Sequence, residues 1–269
     1  MNKRNGIIGL IIAIVAIVAV VIGVNATKGN SQSDQAGTSS QSGQKVIKVG
    51  TEGTYAPFSY FNENNELVGF DVDVAKAVFG KLGYEVQFDD APWDAMLAAF
   101  NAKKTDVVFN QVGITPERQK NFSFTTPYSY SRAALIVAKD NNDIKTFEDL
   151  KGKRSAQSLT SNYGARAESY GATLVSTDGF SKAADLVAQG RADATLNSDV
   201  SFYDYLKHNP NANIKIVNQS QDATPSAAMF QKGNDDLVKQ VDEVLAQLKQ
   251  DGTLKAISEK YFNQDITKE

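Results

Sequence analysis

The segment Asp106-Val-Val-Phe-Asn-Gln-Val-Gly-Ile-Thr-Pro-Glu-Arg118 has residue types and spacing suited to gripping an anion. Val107-Val108-Phe109 reads as the end of a buried strand, and Gly113 allows the turn that follows. Thr115 is a good N-cap and Pro116 a good first helical residue, so a helix is predicted to start there. A helix start presents unpaired N–H groups and the positive end of the macrodipole, and both favour an anion. Arg118, in the first turn, adds a planar fork that can hold a carboxylate at two points. Ligands of open α/β sheets collect at the carboxyl ends of strands, which is where this segment lies. On these residues alone, an ordinary capped helix whose arginine pairs with Glu117 or solvent stays open as the alternative.

Other chemistry finds little support. The chain has 269 residues, a net charge of −3, no cysteine and a single histidine. Without cysteine there are no disulfides, thiolate metal sites or thiol nucleophiles. The acidic balance, with a pI near 5.4, gives no electrostatic case for nucleic acid. His208, in Lys-His-Asn-Pro, reads as a helix end rather than a catalytic group. No phosphate loop, dinucleotide fingerprint or zinc motif is present, so no cofactor or metal is expected. Asp71-x-Asp73 resembles a calcium loop only faintly. It reads better as a helix start, with acids complementing the dipole ahead of an apolar face of Val74, Ala75, Val78, Phe79 and Leu82.

The elements that would position the clamp alternate. Val46–Val49, Tyr84–Phe88 and Val107–Phe109 read as strands, with a helix over Trp93–Phe100 between the last two. The rhythm restarts with strands at Ala133–Ala138, Arg154–Ser158, Ala192–Leu196 and Ile214–Val217. Helices are predicted at Thr146–Leu150, Tyr163–Tyr170, Phe180–Ala188 and Val200–Leu206, and the last forty or so residues form two helices broken at Gly252. Such alternation implies α/β lobes built on largely parallel sheets.

Ahead of the folded part, Lys3 and Arg4 precede an apolar run from Ile7 to Val24. This run is either a membrane anchor or a signal peptide cut after Val24-Asn25-Ala26, and its length favours the anchor. Either way the rest of the chain is extracytoplasmic. Residues 27–44, rich in Ser, Gln and Gly, form a flexible tether.

Thr51-Glu-Gly-Thr-Tyr-Ala-Pro-Phe58, Gly69-Phe-Asp-Val-Asp-Val-Ala75, Gly113-Ile-Thr-Pro-Glu-Arg118 and Gly190-Arg-Ala-Asp-Ala194 occur in that order. With them the chain resembles the extracytoplasmic amino-acid-binding proteins of ABC importers across Lys45 to Asp265. Asn110-Gln-Val-Gly113, Pro127-Tyr-Ser-Tyr-Ser131, Leu159-Thr-Ser-Asn-Tyr-Gly164 and Ala194-Thr-Leu-Asn197 look like the cystine-binding branch. The resemblance implies a two-lobed, periplasmic-binding-protein-like α/β fold of type II. Lobe 1 would comprise residues 45–130 and 225–269 and lobe 2 residues 131–224, joined by two hinge crossovers. It implies a monomer that binds an amino acid, with cystine favoured over glutamine or histidine. The ligand would be delivered to a membrane permease driven by a cytoplasmic ATPase.

By the same resemblance Arg118 holds the ligand α-carboxylate, helped by backbone N–H groups near Gly113 and at Ser161 and Asn162, with Thr115 at the helix start. Tyr55 and Phe58 either cover the ligand or cap the lobe core. Glu52 either meets a distal cationic group or solvates its loop. Trp93 shares helical spacing with Met96 and Phe100, so core packing competes with ligand contact. Asn110 and Gln111, amides at the end of a buried strand, need polar partners, which a ligand can supply. Tyr128 and Thr160, with Ser161 and Asn162, would give a long ligand polar room. The family's acid for the ligand ammonium corresponds to Ser198, with Asp199 one residue later. That offset leaves open whether Asp199 turns inward or neutral groups hold the ammonium. No catalytic residue is assigned. An enzyme on this fold would need a general acid or base beside the clamp, and only Glu52 is a candidate.

Overall fold

The computed structural model describes residues 45–269. The apolar run and the tether, with their anchor and signal-peptide expectations, lie outside the described residues. Among the described residues no helix is long and apolar enough to cross a membrane.

Lys45–Thr51 is an interior strand of the first sheet, with Ile47 and Val49 buried and Lys45, Val46 and Lys48 exposed. It pairs in parallel with Tyr84–Asp90 on one side and Val107–Val108 on the other. The sheet then continues antiparallel through Met229–Gln231 to Phe122–Phe124, giving five strands. Helices α1 (Phe70–Lys81) and α2 (Trp93–Asn101) pack on this sheet, and α3 (Pro116–Asn121) follows the strand at Val107. The largely parallel sheet expected from sequence therefore holds for three strands only. Its other two include a segment from far down the chain, a pairing with no local signature.

The second lobe contains the antiparallel sheet Thr195–Ser198, Ala133–Ala138 and Ile214–Gln219. Beside it lies the parallel pair Arg154–Gln157 and Thr173–Ser176, joined to it at the Ser155–Ala194 bridge. Helices α4 (Asn162–Ser169), α5 (Phe180–Ala188) and α6 (Asp199–His208) complete this lobe. The expected strand at Ala192–Leu196 is shifted. Asp193 is drawn into a 2.8 Å ion pair with Arg154, Ala194 makes only the isolated bridge to Ser155, and the ladder with Ala133–Ala138 runs over Thr195–Ser198.

Ser129–Ser131 and Thr224–Ser226, far apart in the chain, pair antiparallel as a narrow two-stranded ribbon. Helices α7 (Asp235–Gln250) and α8 (Thr253–Phe262) then pack back on α1.

Helix α1 buries Val74, Ala75, Val78 and Phe79, as its spacing predicts. Asp71 sits in the first turn of the helix, as expected, and is fully buried there. Gln111 Nε2 donates to its Oδ1 at 2.7 Å, and burial pushes its pKa up to about 7. Asp73 behaves as a surface acid, pairing with Lys260 at 2.7 Å. The cap position Gly69 has φ 135°, and a Cβ there would lie 2.2 Å from the Phe58 carbonyl oxygen. Only glycine fits so close an approach.

Candidate ligand-binding site

A small cavity of about 40 Å³ lies between the lobes. The first lobe lines it with Glu52, Tyr55, Trp93, Asn110 and Gln111, and the second with residues that include Gln157, Ser161, Asn162, Tyr163 and Asn197.

Glu52 follows directly on the first strand and is almost wholly buried. Its Oε2 accepts from Asn110 Nδ2 at 2.7 Å, while its Oε1 has no partner. Burial pushes its pKa up to about 7, against a smaller lowering by Asn110. Asn110 is fully engaged in holding this corner. Its Oδ1 accepts from Glu52 N at 2.8 Å and from Thr51 Oγ1 at 3.0 Å. Gly179, the cap of α5, approaches from the second lobe with φ 86°, and a Cβ there would lie 3.2 Å from Glu52 Oε1.

Arg118 is not itself part of the cavity lining but lies against Trp93, which is. Thr115 caps α3 by accepting from Arg118 N at 3.2 Å, and Pro116 occupies the first helical position, as the sequence predicts. The guanidinium lies over the Trp93 ring, 5.2 Å from its centroid. Nη1 donates to the Gly113 carbonyl at 3.0 Å and Nη2 to the Thr160 carbonyl at 3.3 Å. Among the described residues no carboxylate lies within 4.0 Å of it. Burial lowers its pKa to about 10, well short of neutralising it at physiological pH. The alternative of an arginine paired to Glu117 is therefore not what the fold adopts.

Opposite the clamp, Ser161 caps α4 by accepting from Gly164 N at 2.9 Å, and Asn162 begins that helix. The Gly113 backbone lies close to Asn162, since a Cβ on Gly113 would come 3.2 Å from its side-chain nitrogen.

Several sequence-derived candidates lie elsewhere. Phe58 is fully buried among Tyr55, Phe70 and Phe262, so it caps the core. Tyr128 is likewise buried, stacked on Phe109 at 5.5 Å. Gln111 does line the cavity, but its side chain is committed to Asp71 and to Ser129, whose hydroxyl donates to Gln111 Oε1 at 2.9 Å. Thr160 faces Asp94 and Arg118 rather than the cavity. Neither Ser198 nor Asp199 lines it. Asp199 starts α6 and accepts from Arg132 N at 3.2 Å and Val200 N at 2.9 Å, so its carboxylate serves the backbone around the crossover. The preceding residue, Asn197, faces the cavity in their place, and its Oδ1 accepts from Tyr55 Oη at 2.7 Å. Strand alternation turns Ser198 away from the face of Asn197, and Asp199 leaves the strand altogether as the first residue of α6. Asn197, Gln157 and Asp94 were not singled out from sequence. Asn197 was within reach of that reading, as the end of the Ala-Thr-Leu-Asn motif.

The chain matches the model of the bacterial extracellular solute-binding proteins, family 3, over residues 47–264. It is 48% identical to a probable amino-acid ABC transporter-binding protein of Haemophilus influenzae, over 77% of this chain and 81% of the relative. It is 42% identical to the L-cystine-binding protein TcyA of Bacillus subtilis, over 77% and 76% of the respective chains. Among solved structures it resembles the L-cystine solute receptor of Neisseria gonorrhoeae in its unliganded open conformation. The identity is 46%, the TM-score 0.55, and 84% of this chain and 96% of that one are covered. It also resembles an ancestral arginine-binding protein bound to glutamine, with 37% identity, a TM-score of 0.77, and 82% and 99% coverage. With a buried carboxylate in a cavity between two lobes, a partly buried arginine beside it, and a family match across nearly the whole folded part, the chain belongs to the bacterial extracellular solute-binding proteins, family 3.

Proposed function

We propose that this protein is the amino-acid-binding component of an ABC importer, that its ligand is L-cystine, and that it hands the ligand to a membrane permease from a tethered position outside the cell. Arg118 carries the reading. A partly buried guanidinium that rests on an indole and meets only carbonyls retains its charge unpaired, and a ligand carboxylate fills that need with a two-point bond. Glu52, with its free Oε1, suits an ammonium group. Cystine has carboxylates and ammonium groups at both ends, so a cavity with an anion-seeking arginine and a buried acid suits it.

Lobe closure is part of the proposal. The fold is more similar to the ligand-bound ancestral protein, TM-score 0.77, than to the open unliganded receptor, TM-score 0.55, although sequence identity runs the other way. Contacts such as Tyr55–Asn197 bridge the lobes in this arrangement. The ribbon of Ser129–Ser131 and Thr224–Ser226 is the natural pivot, with residues 45–130 and 225–269 moving against 131–224.

A second reading, a single cationic or polar amino acid, is favoured by Glu52 alone, because one acid can take one side-chain amine as readily as a second ammonium. An ancestral protein of this fold is bound to arginine in one solved structure. An enzymatic reading would use Glu52 as general acid, but the cavity lining holds no histidine and no second carboxylate to complete an acid–base pair. Calorimetric titration with L-cystine, L-arginine, L-glutamine and L-histidine, together with assay of each mixture for product, tests all three. Tightest binding of L-cystine without turnover is expected. Tighter binding of any of the others overturns the ligand, and turnover overturns the binding role.

A further inference from the structure

Asp94 follows Trp93 in the first turn of α2 and is not part of the cavity lining. Both of its carboxylate oxygens are nevertheless taken up by the other lobe. Oδ2 accepts from Leu159 N at 3.0 Å, and Oδ1 accepts from Thr160 N at 2.9 Å and from the Thr160 hydroxyl. The carbonyl of that same Thr160 accepts from Arg118 Nη2 at 3.3 Å, and the Arg118 guanidinium rests on Trp93. The contacts close a ring, Trp93 to Arg118 to Thr160 to Asp94, that begins and ends on neighbouring residues. Thr160 in turn precedes Ser161, the cap of α4, so the loop held by Asp94 is the one that carries cavity-lining groups.

We infer that Asp94 is a closure latch and a positioning residue for Arg118. This inference rests on the binding-protein reading above. Asp94 touches no ligand. Its bonds to Leu159 and Thr160 exist only when the lobes meet, and through Thr160 they fix the far side of the clamp. The negative charge is essential, because an ionised carboxylate is acceptor-only and can serve both N–H groups. An asparagine there would set its own N–H₂ against one of them. Hydrogen bonds to charged groups are among the stronger ones. Since these form after the ligand has entered, their loss acts on dissociation.

The test is Asp94→Asn beside Thr160→Val, which deletes only the hydroxyl contact. Stopped-flow measurements with L-cystine are expected to show dissociation faster by about 10- to 100-fold in Asp94→Asn, with a smaller increase in Thr160→Val. Association should stay within about threefold. The melting temperature of the ligand-free protein should be unchanged, which a purely structural role for Asp94 would not allow. Because the chain has no cysteine, Lys104→Cys and Lys182→Cys provide clean dye sites, one on each lobe, for reading the closed fraction by energy transfer. Asp94→Asn should lower that fraction. Equal closed fractions in the wild type and Asp94→Asn, or unchanged dissociation, overturn the latch. A wild type that ignores L-cystine overturns the ligand reading instead, and the latch is then judged on the closed fraction alone.

Discussion

Tyr55 Oη donates to Asn197 Oδ1 at 2.7 Å although the two residues are 142 positions apart, so one short bond joins the rim of the first lobe to a strand end of the second. Asn197 Oδ1 also accepts from Ser198 N at 2.8 Å, which fixes its side chain and aims the carboxamide at the tyrosine. The bond requires the lobes to be together.

Tyr55→Phe removes that hydroxyl and keeps the ring. Binding should weaken by about 1 kcal/mol, the usual net worth of a neutral hydrogen bond. Asn197→Ala should cost more, because it also removes a cavity-facing amide. Asp199→Asn should be mild for affinity, since Asp199 serves Arg132 N and Val200 N instead. Calorimetry on the three variants checks the order, and an Asp199→Asn loss larger than that of Asn197→Ala would contradict it.

Glu52 and Asp71 set a pH dependence for the empty protein. Both are buried carboxyls with pKa pushed up to about 7, so both bind a proton more tightly folded than unfolded. Their favourable contribution to stability is full below the ordinary carboxylate range and is lost as pH rises to about 7, levelling off above. Urea unfolding of the ligand-free protein should therefore show a falling midpoint between about pH 5 and pH 7. Glu52→Gln should be more stable than the wild type at about pH 8, by an amount on the order of a few kcal/mol at most. A rising midpoint across this interval would contradict the assignment.

Binding should show the opposite slope. A ligand ammonium favours ionised Glu52, so affinity should rise with pH up to about 7 and then level off, with proton release on binding at lower pH. Glu52→Gln should flatten that profile. Calorimetry in buffers of different ionisation enthalpy reads the proton directly.

Gly69→Ala tests the packing beneath the site. Its Cβ would meet the Phe58 carbonyl at 2.2 Å in a backbone conformation, φ 135°, that other residues rarely adopt. Destabilisation should exceed about 4 kcal/mol, in the range reserved for steric and backbone violations. A near-normal denaturation midpoint would mean that Phe58 and α1 do not approach as described.

The helix start at Thr115 and Pro116 that carries Arg118 is legible because its signals are local. A strand end, Gly113, the Thr115 cap, Pro116 and Arg118 lie within a few residues, and each constrains the next. The amphipathic face of α1, the stop of α6 at His208 and the break at Gly252 were legible for the same reason. What escaped depends on distant partners. Asp71 reads only as an acid at a helix start, and its burial shows once Gln111, 40 positions away, donates to it. Met229–Gln231 carries no mark of its place beside Val107–Val108. Asp94 looks like an ordinary first-turn acid, and its role exists only when Leu159 and Thr160 arrive from the other lobe. At Ser198 and Asp199 the family position falls where a strand passes into a helix, and Asn197, not either of them, is in the cavity lining.

The central claim is that Arg118 holds the carboxylate of an amino acid. Titrating L-cystine into the wild type, Arg118→Ala and Arg118→Lys by calorimetry tests it directly. Arg118→Ala should lose several kcal/mol of binding, about 100-fold or more in Kd, as when one partner of a buried charge pair is removed. Arg118→Lys should recover only part of this, because one ammonium cannot reproduce the two-point fork. Affinity in Arg118→Ala within a few-fold of the wild type would contradict the claim.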